Sequence, residues 1–153
     1  MKKYLTAVAF AAALVQPASA ITFSKLTTIY VGSGVTDSAH ADLLGSKTAF
    51  ICSNVSGQNA TLRFLVLGKQ GGLSANASTT VPHGGTRVAV TNPVTGFLHD
   101  LNLTTSAIGH GVINIESTQS GVFCNAIVVE ADKLAVGYPL CLVRINPHPG
   151  SVE

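Results

Sequence analysis

Charge is scarce in this chain. Only 10% of its 153 residues are Asp, Glu, Lys or Arg, against roughly 25% in an average globular protein. Lys2 and Lys3 account for the whole net charge of +2, and the rest of the chain carries seven basic and seven acidic side chains. No basic cluster remains to neutralise phosphates, which argues against nucleic-acid binding. None remains to hold an anionic membrane surface. Trp is absent and aromatics are 6% of the chain. Stacking on sugars or single strands needs exposed rings, and the one candidate platform is Tyr138, between Gly137 and Pro139.

Catalytic signatures are missing too. No C-x-x-C, H-E-x-x-H, G-x-S-x-G or Walker A pattern occurs, so thiol redox chemistry, zinc proteolysis, a serine elbow and nucleotide cradling lack their usual spacing. Gly32-Ser33-Gly34 resembles the start of a dinucleotide loop, but the third glycine would fall on Asp37. The seven carboxylates form no telling pair for glycoside hydrolysis. The sequence therefore reads as a non-enzyme without a cofactor.

What is present begins with an export signal. Lys2 and Lys3 precede an apolar run from Leu5 to Val15, and Gln16-Pro17-Ala18-Ser19-Ala20 ends in small residues. That layout is a secretory signal peptide over residues 1–20, too short to span a bilayer. Residues 21–153 then make a single domain, bacterial and periplasmic or secreted. No later apolar run reaches 18 residues, so no transmembrane span is expected after cleavage. Four Asn-x-Ser/Thr triplets, at Asn54, Asn59, Asn76 and Asn102, matter only in a host that glycosylates.

The rest is rich in β-branched residues punctuated by turns. Strands are expected at Leu26–Val31, Lys47–Val55, Ala60–Leu67, Ser78–Val81, Thr86–Thr91, Val112–Ser117, Val122–Ala131 and Leu140–Ile145. Leu101–Ile108 is ambiguous, Val94–Asp100 reads as loop, and Asp37–Leu44 has room for one helical turn. Leu62, Phe64 and Val66 alternate with Thr61 and Arg63, and Val88 and Val90 oppose Arg87 and Ala89, the two-residue period of half-buried strands. Ala126–Val129 is apolar on both faces, as in a central strand. Short gaps predict one hairpin between the strands at 47–55 and 60–67, and another across Thr118–Gly121. The expected fold is all-β: one antiparallel β-sandwich, or alternatively a small β-barrel, of seven to eight strands.

Three cysteines remain after residue 20. Export into an oxidising compartment favours disulfides. Cys52 and Cys124 each sit inside a strong strand and are the expected pair, facing across the sandwich or side by side. Their bridge would close a loop of about 70 residues, worth roughly 4 kcal/mol in the chain-entropy model. Cys141 would then be a buried free thiol. A Cys124–Cys141 bridge is the alternative, with an intermolecular one behind it.

Two sets of side chains are candidates for ligand chemistry. Asp37, His40 and Asp42 offer oxygen and nitrogen to a metal, but the plainer reading is a solvated turn, and no metal site is assigned. His83, His99 and His110 lie in expected loops that converge only if they share one end of the sandwich.

From Ala49 to Asp132 the order of features includes Cys52-Ser53-Asn54, Arg63-Phe64-Leu65-Val66, Thr80-Val81-Pro82, Thr86-Arg87-Val88 and Asn114-Ile115-Glu116-Ser117, closing on Ala126–Glu130. This pattern resembles the small β-sandwich proteins of the sensory rhodopsin transducer type. The resemblance implies a compact, often oligomeric sandwich that binds partners or small ligands without catalysis. The signal peptide departs from that family's cytoplasmic setting. The sequence thus leads to an exported protein-binding or structural module, with sugar or metal binding in the periplasm as the alternative. The low charge leaves little repulsion against self-association.

Overall fold

The computed structural model describes residues 22–38, 45–94, 96–130 and 133–145. The expected signal peptide lies outside them, as do residues 39–44, including His40 and Asp42, of the segment that had room for a helical turn; its Asp37 is the last residue of the first strand. Ten strands follow in order: β1 (Thr22–Asp37), β2 (Ser46–Asn54), β3 (Ala60–Leu67), β4 (Leu73–Val81), β5 (Thr86–Val90), β6 (Leu101–Asn102), β7 (Ile108–Gln119), β8 (Val122–Glu130), β9 (Lys133–Leu140) and β10 (Leu142–Arg144). The fold is all-β, and no helix occurs among the described residues.

The strands form one hydrogen-bonded sheet that folds over on itself. One layer runs β4-β3-β7-β1, with β10 on β1. The other runs β9-β8-β2-β5-β6. They join at the pair Asp37 and Lys47. All pairings are antiparallel except β5 with β6. The path of strands ends on β4 and β6 without returning on itself, so the barrel alternative is not realised.

The core lies between the layers. The rings of Phe50 on β2 and Phe64 on β3 have centroids 6.1 Å apart, and Ile29, Leu62, Ile113 and Ile115 are fully buried beside them. Burying one such side chain is worth roughly 1.5–3 kcal/mol. β3 alternates as its sequence suggests, with Leu62, Phe64 and Val66 buried and Thr61, Arg63 and Leu65 half-buried. In β5 the phase differs from a simple inward-valine reading. Ala89 is the register partner of Phe50 and belongs to the core. Val90 is buried as well, because the chain returns over it and Leu103 N donates to the Val90 carbonyl.

The strand count exceeds the expected seven to eight for identifiable reasons. β4 begins at Leu73 rather than Ser78, since Ser, Ala and Asn carry little strand signal while register with β3 imposes extension on them. The expected final strand, Leu140–Ile145, is β10 (Leu142–Arg144), and a further strand, β9 (Lys133–Leu140), precedes it. β9 pairs with β8 and β10 pairs with β1, so the chain changes layer at Cys141. Gly32 on β1 permits this crossing. A Cβ there would stand 2.8 Å from the Leu142 side chain and 3.1 Å from the Cys141 carbonyl oxygen.

Both expected hairpins are corrected. β2 pairs with β5 and β8, whereas β3 pairs with β4 and β7. β7 pairs with β1 and β3, whereas β8 pairs with β2 and β9. The two short turns therefore cross between layers as arches. Turn length is compatible with either outcome, and long-range pairing decides.

Candidate functional site

The register defines two ends. Residues 37, 46, 67, 73, 108 and 130 gather at one, which carries the β3–β4 hairpin. Residues 54, 60, 81, 86, 119 and 122 gather at the other, where three turns change layer. We call these the hairpin end and the arch end.

At the hairpin end β1 stops at Asp37, whose side chain is fully buried. Lys47 Nζ donates to Asp37 Oδ1 at 2.7 Å and to the Ser38 carbonyl at 2.9 Å. Asp37 Oδ2 accepts from Asn92 Nδ2 and Thr105 Oγ1. Asn92 Nδ2 also donates to the Thr105 carbonyl at 2.9 Å. Around this pair Thr36 N donates to Thr48 Oγ1 at 2.9 Å, and Thr48 N to Thr91 Oγ1 at 3.1 Å. A buried carboxylate is tolerated only when paired and hydrogen-bonded, and Asp37 is both. It therefore meets structural needs and is not left open as the metal ligand considered from sequence. Among the described residues no three His, Cys, Asp or Glu side chains gather around a common point.

Two open hollows lie beside this network. One, of about 280 Å³, is lined by residues including Thr36, Asp37, Ser38 and Ser46. The other, of about 350 Å³, is lined by the β3–β4 turn with Leu73, Ser74 and Ser106. Ala107 and Ile108 border both. Thr36 Oγ1 is buried with no hydrogen-bond partner.

The arch end is held by amides instead. Asn54 is fully buried. Its Nδ2 donates to the carbonyls of Gln58 at 2.7 Å and Val81 at 2.9 Å, and its Oδ1 accepts from Ser56 N at 3.0 Å. Backbone bonds join the three turns: Asn54 N to Gly85 O, Gly84 N to Asn54 O, and Val55 N to Gly121 O. Gly121 lies so close to the β2–β3 turn that a Cβ would sit 2.7 Å from Ser56 Cα. Cys52 and Cys124 are register partners on β2 and β8 and are disulfide-bonded, with Cα atoms 4.1 Å apart. They lie side by side in one layer. With 72 residues of separation, the bridge contributes about 4 kcal/mol by restricting the unfolded chain.

The histidines do not converge. His83 is exposed at the arch end, where its Nδ1 accepts from Gly57 N at 3.0 Å. His110 is exposed on β7 near the hairpin end. His99 lies on the return of the chain from β5 to β6, with Nδ1 3.1 Å from the Phe97 carbonyl oxygen. Tyr138 is exposed as expected, but on β9 opposite Val128 rather than in a loop. Cys141 is free and exposed, not buried, because it sits at the layer crossing between β9 and β10.

Sequence reasoning missed Asn54, Asn92, Thr105 and Arg144. Arg144 lies over the rings of Tyr30 and Phe123 at 5.1 and 5.5 Å. Its Nη1 donates to Tyr30 Oη at 2.8 Å and to the Val122 carbonyl at 2.9 Å, so it fastens β10 to the sandwich. Asn92-Pro93 was legible as a turn, but its carboxamide's reach to Asp37 spans 55 residues.

The fold and its sites define an open all-β sandwich with an intralayer disulfide and a buried ion pair at one end. No protein-family model, curated protein or solved structure matches the chain. No helix among the described residues is long and apolar enough to cross a membrane.

Proposed function

We propose that this chain is an exported, non-catalytic β-sandwich that acts through its surface as a protein-binding or assembly module of the bacterial envelope. The observation that carries the reading is how its side chains are committed. The charged pairs Asp37–Lys47 and Arg63–Glu116 are spent on each other, while large apolar groups stand in solvent. Leu98 is 91% exposed, Leu73 61% and Val143 54%. With so few charges on the surface, little repulsion opposes contact with another protein. The disulfide agrees with an oxidising compartment. Size-exclusion chromatography with light scattering on the exported protein should show a concentration-dependent oligomer or a retained protein partner. A strict, partner-free monomer at every concentration would sink the reading.

The second reading is a small polar ligand, a sugar before a metal, seated in the hollows at the hairpin end. The partnerless Thr36 hydroxyl and the shared Ala107–Ile108 border favour it. It predicts thermal stabilisation that grows with ligand concentration over Kd. A flat response to a sugar and metal panel removes it.

A further inference from the structure

Natural sheets protect their edges with short strands, prolines, charges or bulges, because an unpaired edge is a template for another strand. The edges of this sandwich differ in that respect. β6 has two residues and β10 three. β9 carries Pro139, which has no N–H to offer. β4 has nine residues, no charge and no proline. Its one irregularity, between Leu73 and Ala75, sits at its start. One side of β4 pairs with β3 from Ala60 to Leu67. Among the described residues the other side pairs with no strand. Asn76, Ser78 and Thr80 are exposed along it.

We propose that β4 is the pairing edge for a second copy of this chain, joined antiparallel about a two-fold axis at Asn76. The inference rests on the assembly reading above and names its surface and partner. The sequence Ser74-Ala75-Asn76-Ala77-Ser78 reads the same in both directions. An antiparallel self-pair centred on Asn76 therefore sets Asn against Asn, Ala against Ala and Ser against Ser. Facing Asn side chains can exchange amide hydrogen bonds, while the Ser74 hydroxyl stays 3.1 Å from Ser106 Oγ of its own chain. No charge opposes its own copy, the usual obstacle to symmetric pairing of strands. A partner chosen for a different sequence would have no need of this palindrome.

The pairing is isologous and uses the edge up, so it closes at a dimer instead of growing into a fibre. One strand pair contributes main-chain hydrogen bonds but little area, below the roughly 1,200 Å² of a standard stable interface. The dimer is accordingly concentration-dependent, exchanging with monomer.

The test is analytical ultracentrifugation of the exported protein over a wide concentration range, beside Asn76→Lys and Asn76→Thr. Residue 76 is exposed, so both variants should keep the parent's circular dichroism and melting temperature. Lysine at 76 sets two like charges opposite one another, and threonine keeps an uncharged strand. Loss of the dimer in Asn76→Lys with its retention in Asn76→Thr supports the proposal. An oligomer indifferent to Asn76→Lys overturns the β4 edge and leaves the assembly reading standing. A monomer in the parent at all concentrations overturns the edge. As a second measurement, Asn76→Cys in a Cys141→Ser background should form a dimer on mild oxidation that reduction releases. A monomeric product there also counts against the two-fold at Asn76.

Discussion

The two ends of the sandwich close the same gap between layers with different chemistry. At the hairpin end a carboxylate and an ammonium are buried together, and Asn92 and Thr105 donate to the carboxylate oxygen that the ion pair leaves over. At the arch end the holding groups are uncharged apart from the half-buried Arg144, which donates to the Val122 carbonyl. The carboxamide of Asn54 and three backbone bonds stitch three layer-changing turns into one unit, with the Cys52–Cys124 bridge just inside. A buried ion pair gains Coulomb energy against a large desolvation cost. A buried amide costs less to desolvate and holds geometry through directed bonds. The hairpin end is thus the one where losing a single partner leaves an expensive remainder, and it is also the end with open hollows. The arch end is closed, and its close approach at Gly121 leaves no room for a side chain.

That difference fixes the largest expected effect. Asp37→Ala strands Lys47, which is nearly buried, and should cost about 3–5 kcal/mol, read as a lower urea midpoint by circular dichroism. Replacing both partners together, Asp37→Leu with Lys47→Met, removes the orphaned charge and should recover most of that loss. If the single variant proves as stable as the parent, the two ends do not differ in the way described. If the double variant is as damaged as the single one, the threonine network depends on the charge itself.

How much of this was legible in the sequence follows from the range of each interaction. Strand content was legible because alternation in β3 and the double-sided apolar run in β8 are local signals. The Cys52–Cys124 pair is legible because both residues lie in strong strands, and the structure joins them. The arches were not legible. A short polar turn looks alike whether the flanking strands pair with each other or with partners elsewhere in the chain, such as Cys124 for Cys52, 72 residues on. The beginning of β4 was hidden for a related reason, since its extension is imposed by β3 and not by its own side chains. The Asp37 site was half legible. The sequence marks a polar cluster, but Lys47, Asn92 and Thr105 reach Asp37 from elements that only the fold brings together. The separation of the three histidines follows from strand direction, which composition does not carry.

A middle-sized effect tests the arch end. Asn54→Ala removes the donor to two carbonyls and the acceptor for Ser56 N, leaving at least the Val81 carbonyl, at the other side of the turn cluster, without its partner. Unsatisfied buried groups cost about 1–3 kcal/mol, so the variant should be destabilised by about 2–3 kcal/mol, less than Asp37→Ala. Amide hydrogen exchange should quicken at Val55 and Gly85 first, since their backbone groups share the turns that Asn54 ties together. A loss larger than that of Asp37→Ala would reverse the ranking of the two ends.

The smallest effect is expected at His83. Its Nδ1 accepts one hydrogen bond from Gly57 N across the arch end, and the residue is exposed. Water replaces an exposed acceptor at little cost, so His83→Ala should shift stability by no more than about 1 kcal/mol. A ligand role for the histidine-bearing loops needs His83 and His110 at one place, and the register sets them at opposite ends. The melting temperature of His83→Ala should therefore respond to zinc, copper and sugars as the parent's does. A ligand that stabilises the parent and fails to stabilise His83→Ala would show the arch end to be a binding surface, and the contrast between a closed end and an open one would then have to be redrawn.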